Sequence, residues 1–188
     1  MNAATNAPVG GDRQTKRRRP RFLPDRKGSV AVEFVMLIIP FALLIFSIIE
    51  TCIAFAGQQM LTNATETVAR QVRTGQIRSI SKDDLHDLVC ARIQILVAKD
   101  CPELEVDLRS FNTFEQAAQL PFPISNGDVD ASGFVSNPGP SLSKNMLRTF
   151  YRWPVFTDFL TRQIDSFKDG KRLIFATVIW QNEPFDDI

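Results

Sequence analysis

Few side chains in this sequence could do chemistry, and two cysteines are the strongest candidates. Cys90 and Cys101 follow a long apolar run and lie on the side of it that we expect to face away from the cytoplasm. Cysteines in such an oxidising compartment commonly form disulfides. We therefore expect a Cys90–Cys101 disulfide, and we disfavour a metal site formed by these two alone because structural zinc takes four ligands.

The third cysteine and the single histidine offer less. Cys52 lies within the apolar run, where we expect a buried free thiol that packs as a small hydrophobic group near the outer face of the membrane. His86 is interpreted as a surface residue of a polar helical turn. The sequence has no glycine-rich phosphate loop, metalloprotease signature or nucleophile elbow. We expect no enzymatic activity, no cofactor and no metal.

One carboxylate stands in an unusual place. Glu33 lies between a basic arm, residues 13–27, and the run Phe34 to Ile49, which has no charged side chain. A charge at the centre of a membrane helix costs about 2.5–3.5 kcal/mol, and less near the interface. The basic arm could bind nucleic acid, but no aromatic interleaving or binding motif accompanies it, so we expect no nucleic-acid partner.

The apolar run predicts a transmembrane helix. It resumes after Glu50 and continues to Ala56, and a bilayer core of about 30 Å requires about 20 helical residues. By the positive-inside rule the basic arm stays in the cytoplasm and residues after Gly57 lie outside. This predicts a single-pass protein of the lipid bilayer, with its N-terminus in the cytoplasm and an external domain.

Two other targeting signals were considered. Ala54-Phe55-Ala56 before Gly57 resembles a signal-peptidase site, but the apolar run exceeds the usual length of such signals and Glu50 follows it. The spacing around Pro20 and Arg21 argues against a twin-arginine signal. An uncleaved or differently cleaved membrane anchor therefore explains the pattern better than an ordinary secretory signal.

The elements that position these residues follow from periodicity. A disordered leader, residues 1–28, precedes a helix from Ser29 to Thr74 that Pro40 is expected to kink and Gly75 to stop. Its second part is amphipathic. We divide the chain into the leader, a transmembrane helix (29–57) and an external α+β domain (58–188).

Within the external domain, the pattern predicts a second helix and a small antiparallel sheet. The predicted elements are a helix capped by Ser81 and closed by Cys101-Pro102, a strand at Leu104–Arg109, a loop at Gln119–Leu142 with a short hairpin around Gly133–Val135, a strand at Met146–Trp153 (or a helix), a short helix at Phe156–Phe167 and a strand at Leu173–Trp180.

These features together resemble the TadE-like pseudopilins of the Tad (Flp) pilus system, a branch of the type IV pilin superfamily. The resemblance rests on Gly28 at the end of the basic leader, Ser29 after it, and Glu33 followed by Phe34. Further matching stretches are Ala69-Arg70, Thr74-Gly75, Cys90, Cys101, Tyr151-Arg152-Trp153-Pro154 and Asn182-Glu183-Pro184-Phe185.

The resemblance implies a pilin-like, membrane-anchored α+β fold and a structural role in pilus assembly. A prepilin peptidase would cut between Gly28 and Ser29, so that Glu33 becomes the fifth residue of the mature chain and serves processing or assembly. The implied partners are that peptidase, other Tad pilin and pseudopilin subunits, and the inner-membrane assembly platform. Phe34 and the sizeable external domain depart from the major Flp pilins, which favours a minor pseudopilin. The alternative is a single-span protein with an external binding domain unrelated to pili.

Overall fold

A computed structural model describes residues 26–155 and 170–186. Contacts divide the chain into two compact units, Met1–Ala42 and Leu43–Ile188. The elements in chain order are α1 (Arg26–Arg73), α2 (Lys82–Ile93), β1 (Leu104–Phe111), α3 (Phe114–Ala118), β2 (Ile124–Ser125), β3 (Asp128–Val129), β4 (Lys144–Trp153) and β5 (Arg172–Gln181).

Helix α1 begins three residues before the predicted start and ends as its sequence predicts. Gly75 adopts a left-handed backbone, with φ of 72°. Its amide donates to the carbonyl of Val72, and the amide of Gln76 donates to that of Gln71, both at 3.0 Å. This pair of hydrogen bonds is the Schellman ending, which favours glycine because other residues meet a steric penalty at positive φ. The prediction of Gly75 as the stop is confirmed.

The second part of α1 is amphipathic, as predicted. Its apolar residues lie on one side of the helix and are buried, whereas its charged residues and Asn63 are exposed. The buried set is Leu61, Ala64, Val68, Ala69 and Val72, and the exposed set is Asn63, Glu66, Arg70 and Arg73.

Helix α2 starts where predicted but ends earlier. The Ser81 hydroxyl accepts a hydrogen bond from the amide of Asp84 at 3.0 Å, so the predicted N-cap is confirmed. The helix stops at Ile93, and the prediction that it extends to Cys101-Pro102 is wrong. Eleven residues of helix would separate Cys90 from Cys101 by about 16 Å, whereas their Cα atoms lie 5.8 Å apart. The chain must therefore turn back after α2.

The three-stranded sheet has the order β1-β4-β5. Both strand pairs are antiparallel, with β4 in the centre. The branched and aromatic residues of β4 and β5 suit this position because they pack well on a pleated surface. The strand alternative for residues 146–153 is confirmed, and β5 is one residue longer at each end than predicted.

One face of the sheet packs in the same core as α1 and α2. Period-two alternation places every second side chain of each strand on this face. Its members include Leu104, Val106 and Leu108 of β1, Leu147, Tyr151 and Trp153 of β4, and Ile174, Ala176 and Trp180 of β5, which share a core with the buried residues of both helices.

The opposite face is covered in part by the long connection between β1 and β4. A β2–β3 hairpin turns at Asn126 and Gly127, which have φ of 53° and 74°. Asparagine followed by glycine favours such a hairpin turn. The predicted hairpin at Gly133–Val135 is therefore misplaced: that stretch leads instead into a parallel bridge between Ser136 and Leu108 of β1.

The fold class is α+β with one long, apolar N-terminal helix, as predicted. The short helix α3 was not predicted. The predicted helix at 156–167 and the disordered leader lie outside the described residues, except for residues 26–28, which belong to α1.

Candidate functional site

The expected cleavage site lies in the first turn of α1. Gly28 and Ser29 have helical backbone, since the helix starts at Arg26. Proteolysis requires an extended substrate backbone, so the start of α1 has to open before this bond can be cut. Glycine favours such opening because it is the poorest helix former after proline. Cleavage between Gly28 and Ser29 stays a prediction.

The next turns of α1 carry Glu33 and Phe34, both exposed on the helix surface, Phe34 to 63%. All the side chains described from Val30 to Pro40 are exposed. The helix from Val30 onward is long and apolar enough to cross a membrane, and its most apolar window is not buried within the protein. One such helix fits a single-pass membrane protein.

Apolar exposure continues along α1 into the second unit and stops at Phe55. The exposed large side chains there are Leu43, Leu44, Ile45, Phe46, Ile48, Ile49, Ile53 and Phe55. Cys52 lies among them and is a free, exposed thiol. The expectation that its side chain is buried is wrong for the protein itself: Ala54 belongs to the core, but Cys52 is exposed with the large apolar side chains around it. A lipid environment would supply the apolar surroundings instead.

The helix then enters the folded core through close contact with β4. Gly57 is buried, and a Cβ atom at this position would lie 2.5 Å from Cζ3 of Trp153. Because glycine has no side chain, the indole ring can pack directly against α1 at this position. Trp153 belongs to the Tyr-Arg-Trp-Pro stretch, so this stretch helps to hold α1 against the sheet.

The predicted disulfide is present. Cys90 of α2 and Cys101 are bonded, and both are buried. The bridge fixes the chain between α2 and β1. The Nε2 atom of His86 lies 3.2 Å from the carbonyl oxygen of Cys101. Its ring is half-buried, so His86 contacts the disulfide-linked segment and is not a plain surface residue.

The C-terminal residues close over the end of α1. The amide of Glu183 donates to the carbonyl of Arg73 at 2.9 Å, and the two side chains approach to 3.3 Å. The ring of Phe185 occupies the space where a Cβ atom of Gly75 would lie, 2.7 Å away. The guanidinium of Arg78 lies 5.5 Å from the centre of the Phe185 ring. These contacts tie the Thr-Gly and Asn-Glu-Pro-Phe stretches into one structural clamp.

Asn182 anchors that clamp to the long connection. Its side-chain amide donates to the carbonyls of Pro138 and Pro140, at 3.1 and 3.0 Å, and its oxygen accepts from the indole of Trp180 at 2.8 Å. Asn182 is 2% exposed, so its polar atoms depend on these partners. The clamp is thereby joined to β5 and the loop.

A buried ionic cluster on the opposite face of the sheet was missed by the sequence analysis. The Asp107 carboxylate lies 2.7 Å from Nη2 of Arg148 and 2.9 Å from Nε of Arg109, and it accepts from the amide of Val135 at 3.0 Å. Alternation placed Asp107 among the polar residues of its strand. The only additional signal was a pair of arginines: Arg109 lies two residues further along β1, and antiparallel pairing places Arg148 of β4 opposite Asp107.

Two neighbouring residues of β4 have shifted pKa values. Burial raises the pKa of the Tyr151 hydroxyl, and the negative charge of Glu103 raises it further. Burial lowers the pKa of Arg152, but the hydrogen bond and charge of Asp128, with the charge of Glu105, outweigh it and raise that pKa. Both residues are thus held in their usual ionisation state at neutral pH.

The described residues, 26–155 and 170–186, include no group of three or more His, Cys, Asp or Glu side chains able to hold a metal ion.

Residues 28–70 match the family model described as TadE-like protein. No curated protein and no solved structure matches the chain. The matched part contains Gly28, Ser29, Glu33 and Phe34, and continues along α1 to Arg70. This similarity over residues 28–70 confirms the family resemblance carried by the leader end and the first helix.

Proposed function

We propose that this protein is a minor pilin-like subunit, a pseudopilin, that supports assembly of a Tad (Flp) pilus at the bacterial inner membrane. The observation that carries the proposal is the TadE-like match over residues 28–70, because this family suggests a Tad pilus-related protein. The role is structural, with no catalytic activity of its own.

The form of α1 supports such a role. Its apolar surface is exposed as far as Phe55, and its later residues, from Leu61 to Val72, are buried in the core of an α+β domain. A single helix of 48 residues can therefore serve both as a membrane anchor and as the backbone of an external domain.

Topology and processing follow from the sequence at the start of α1. The basic arm keeps the N-terminus in the cytoplasm, which leaves the α+β domain in the periplasm. A prepilin peptidase at the cytoplasmic face then cuts between Gly28 and Ser29. Removal of the leader leaves a free amine on Ser29, four residues before Glu33.

Glu33 is the residue that we assign to assembly. Within one helix, the amine of Ser29 and the carboxylate of Glu33 lie about one turn apart, so they can pair with each other. Pairing with the amine of a neighbouring subunit neutralises two charges in a medium where each is costly, and it fixes the axial register between helices. Other Tad pilins and pseudopilins, together with the inner-membrane assembly platform, are the proposed partners.

The experiment is intact-mass and N-terminal analysis of the protein purified from membranes with and without the prepilin peptidase. A mature N-terminus at Ser29 that depends on the peptidase supports the proposal. An N-terminus at Gly57 would indicate signal peptidase instead. An intact N-terminus at Met1 in the presence of the peptidase would favour the alternative, a single-span protein with an external binding domain unrelated to pili.

A further inference from the structure

The turn after α2 exposes apolar side chains next to the point where α1 enters the core. We define the membrane-proximal loop as residues 94–100, between the end of α2 and Cys101. Ile95 is 84% exposed and Leu96 is 40% exposed. Ile95 is the most exposed of the large apolar side chains described, including those along the apolar part of α1. Single exposed apolar side chains are ordinary on protein surfaces, so what matters is where these two residues lie relative to the apolar surface of α1.

The membrane-proximal loop packs beside a defined part of α1. Leu96 and Val97 line a small apolar pocket together with Gly57, Met60 and Leu61 of α1. These residues all belong to the unit Leu43–Ile188. The loop therefore lies beside the turns of α1 that directly follow Phe55, the last exposed large apolar residue of that helix.

In a bilayer, this part of α1 lies at the membrane surface. Phe55 is the last exposed large apolar side chain of α1, so the outer edge of the hydrocarbon core lies near this residue. Gly57 and Met60 then lie about 3–8 Å further out along the helix. The headgroup region on each side of the core is about 5–8 Å thick, so the loop lies at the depth of the headgroups.

We propose that the membrane-proximal loop is a second membrane contact, in which Ile95 and Leu96 insert into the outer interfacial layer of the same bilayer that α1 spans. The proposal rests on the membrane-inserted state of α1 that the proposed function requires. The occupant of this apolar surface is lipid, because the loop continues the exposed apolar surface of α1 at the depth where acyl chains meet headgroups. Segments with apolar side chains commonly enter this boundary by about 5–10 Å.

The loop is well built for such a contact. The Cys90–Cys101 disulfide fixes both of its flanks, and the amide of Leu96 donates to the carbonyl of Ile93 at 3.0 Å. Val97 is half-buried against the core. The apolar tip is therefore held in place by the domain, so insertion would fix the tilt of the domain relative to the bilayer surface.

The test uses spin labels on the full-length chain in phosphatidylethanolamine–phosphatidylglycerol vesicles. Cys52→Ser removes the free thiol, and single cysteines are then introduced as Ile95→Cys, Leu44→Cys or Val135→Cys. Leu44 is an exposed residue of α1 within the apolar run, and Val135, 44% exposed, lies beside Ser136, whose hydroxyl donates to the carbonyl of Ile80 beyond the end of α1. Collision with oxygen, which partitions into lipid, is compared with collision with a water-soluble nickel chelate.

The proposal predicts that oxygen relaxes the labels at positions 95 and 44 more strongly than nickel does, with the reverse order at position 135. A water-like label at 95 beside a lipid-like label at 44 overturns this inference and leaves the proposed function intact. Water-like labels at both positions overturn the inference and the membrane anchor on which the proposed function depends. If neither reagent reaches the label at position 95, and this protection occurs only at a high protein-to-lipid ratio, the loop contacts a second copy of the protein. That result also overturns the inference.

A second measurement leaves the loop tip intact. In the Cys52→Ser background, a label at Lys99→Cys reports the depth of the loop while Ile95 is native. Adding Ile95→Glu should move this label toward water, with higher nickel and lower oxygen collision, whereas adding Val135→Glu should change neither. An unchanged label with Ile95→Glu contradicts insertion of Ile95. Since Ile95 is 84% exposed, Ile95→Glu should leave the fold of the domain unchanged.

Discussion

A Cβ atom at Gly57 would lie 2.5 Å from Cζ3 and 2.7 Å from Cη2 of Trp153. Side-chain atoms essentially never approach so closely, so the indole ring and a side chain at position 57 exclude each other. Trp153 is 4% exposed and belongs to the core that α1 and the sheet share. The contact lies where α1 passes from exposed apolar surface into the folded domain, and it joins the helix to the central strand at that point.

Gly57→Ala should therefore destabilise the domain although alanine is the better helix former. Overpacking lowers the stability of a core by about 1–3 kcal/mol. The higher helix propensity of alanine raises stability by about 1 kcal/mol. We expect a net loss of up to about 2 kcal/mol, measured as a lower Tm of the full chain in detergent micelles. The matched control is Gly133→Ala, whose Cβ would meet only Nη2 of Arg109 at 3.7 Å. An unchanged or higher Tm for Gly57→Ala would show that the ring moves aside without cost.

Loss of the disulfide should also destabilise the domain. Cys90 and Cys101 are separated by 11 positions and are both buried, and closing a loop of this size stabilises a protein by on the order of 2–4 kcal/mol. Replacing both with serine should lower the free energy of unfolding by that amount, measured by urea denaturation. Cys52→Ser is the control, since its exposed thiol makes no bridge. Alkylation of the native protein without reductant should label Cys52 alone; labels at Cys90 and Cys101 would contradict the bridge.

The stability of the domain should fall at alkaline pH because of Tyr151. Burial raises the pKa of this hydroxyl above its usual value, with a further contribution from the charge of Glu103. The unfolded chain then loses the tyrosine proton first, at about pH 10, so the stabilising contribution is complete below that pH and is lost as pH rises through the folded-state pKa. Tyr151 is the only tyrosine in the chain, so tyrosinate absorbance reports it alone.

Tyr151→Phe provides the control for that pH dependence. Phenylalanine fills the same space and cannot ionise, so the variant should keep more of its stability above about pH 10 than the native chain. Lysine and arginine titration affects both proteins alike. If unfolding free energies of the two proteins fall in parallel across this range, the raised pKa of Tyr151 has no part in the loss.

The features predicted correctly from sequence are those that depend on local chemistry. Ser81 caps α2 through a hydrogen bond to a residue three positions on, and Gly75 ends α1 because the ending needs positive φ; both causes lie within a few residues. The end of α2 at Ile93 was missed because apolar residues continue at helical spacing to Leu96, although a helix as far as Cys101 does not allow the disulfide that the sequence also predicts.

The buried face of β1 could not be predicted for a different reason. Alternation correctly separated Leu104, Val106 and Leu108 from Asp107, but it does not say what covers the second face of a sheet. The loop between β1 and β4 covers that face near Asp107, and Arg148 neutralises the carboxylate at 2.7 Å. A polar residue in an alternating strand can thus be as buried as its apolar neighbours, at 1% exposure.

Gly28→Val should block removal of the leader. The peptidase must bind the chain in an extended form beside a residue without bulk, and a β-branched side chain fills that space. The measurement is the intact mass of the protein from cells that contain the peptidase. Gly11→Val, the same change elsewhere in the leader, is the control and should be cut normally. Normal processing of Gly28→Val would contradict cleavage by a prepilin peptidase between Gly28 and Ser29.

Glu33→Ala should separate assembly from processing. Removing a charge makes the segment more apolar, so insertion should be as efficient as for the native chain, and cleavage should proceed nearly normally. Without the carboxylate, the amine of Ser29 in a neighbouring subunit loses its partner, so cells with Glu33→Ala as the only copy should fail to make pili. Glu66→Ala, which removes an exposed carboxylate from the part of α1 that belongs to the external domain, is the control and should support piliation.

The results of this pair of variants assign the role of Glu33. Cleaved but unpiliated Glu33→Ala identifies the carboxylate as an assembly residue. Loss of cleavage would instead make Glu33 part of what the peptidase recognises, since the leader and Gly28 are unchanged in this variant. Normal piliation with Glu33→Ala would refute both roles and leave Glu33 as a carboxylate at the headgroup level, where the cost of keeping it is small. Counting pili by electron microscopy and measuring the intact mass of the protein from the same cells distinguish these three outcomes.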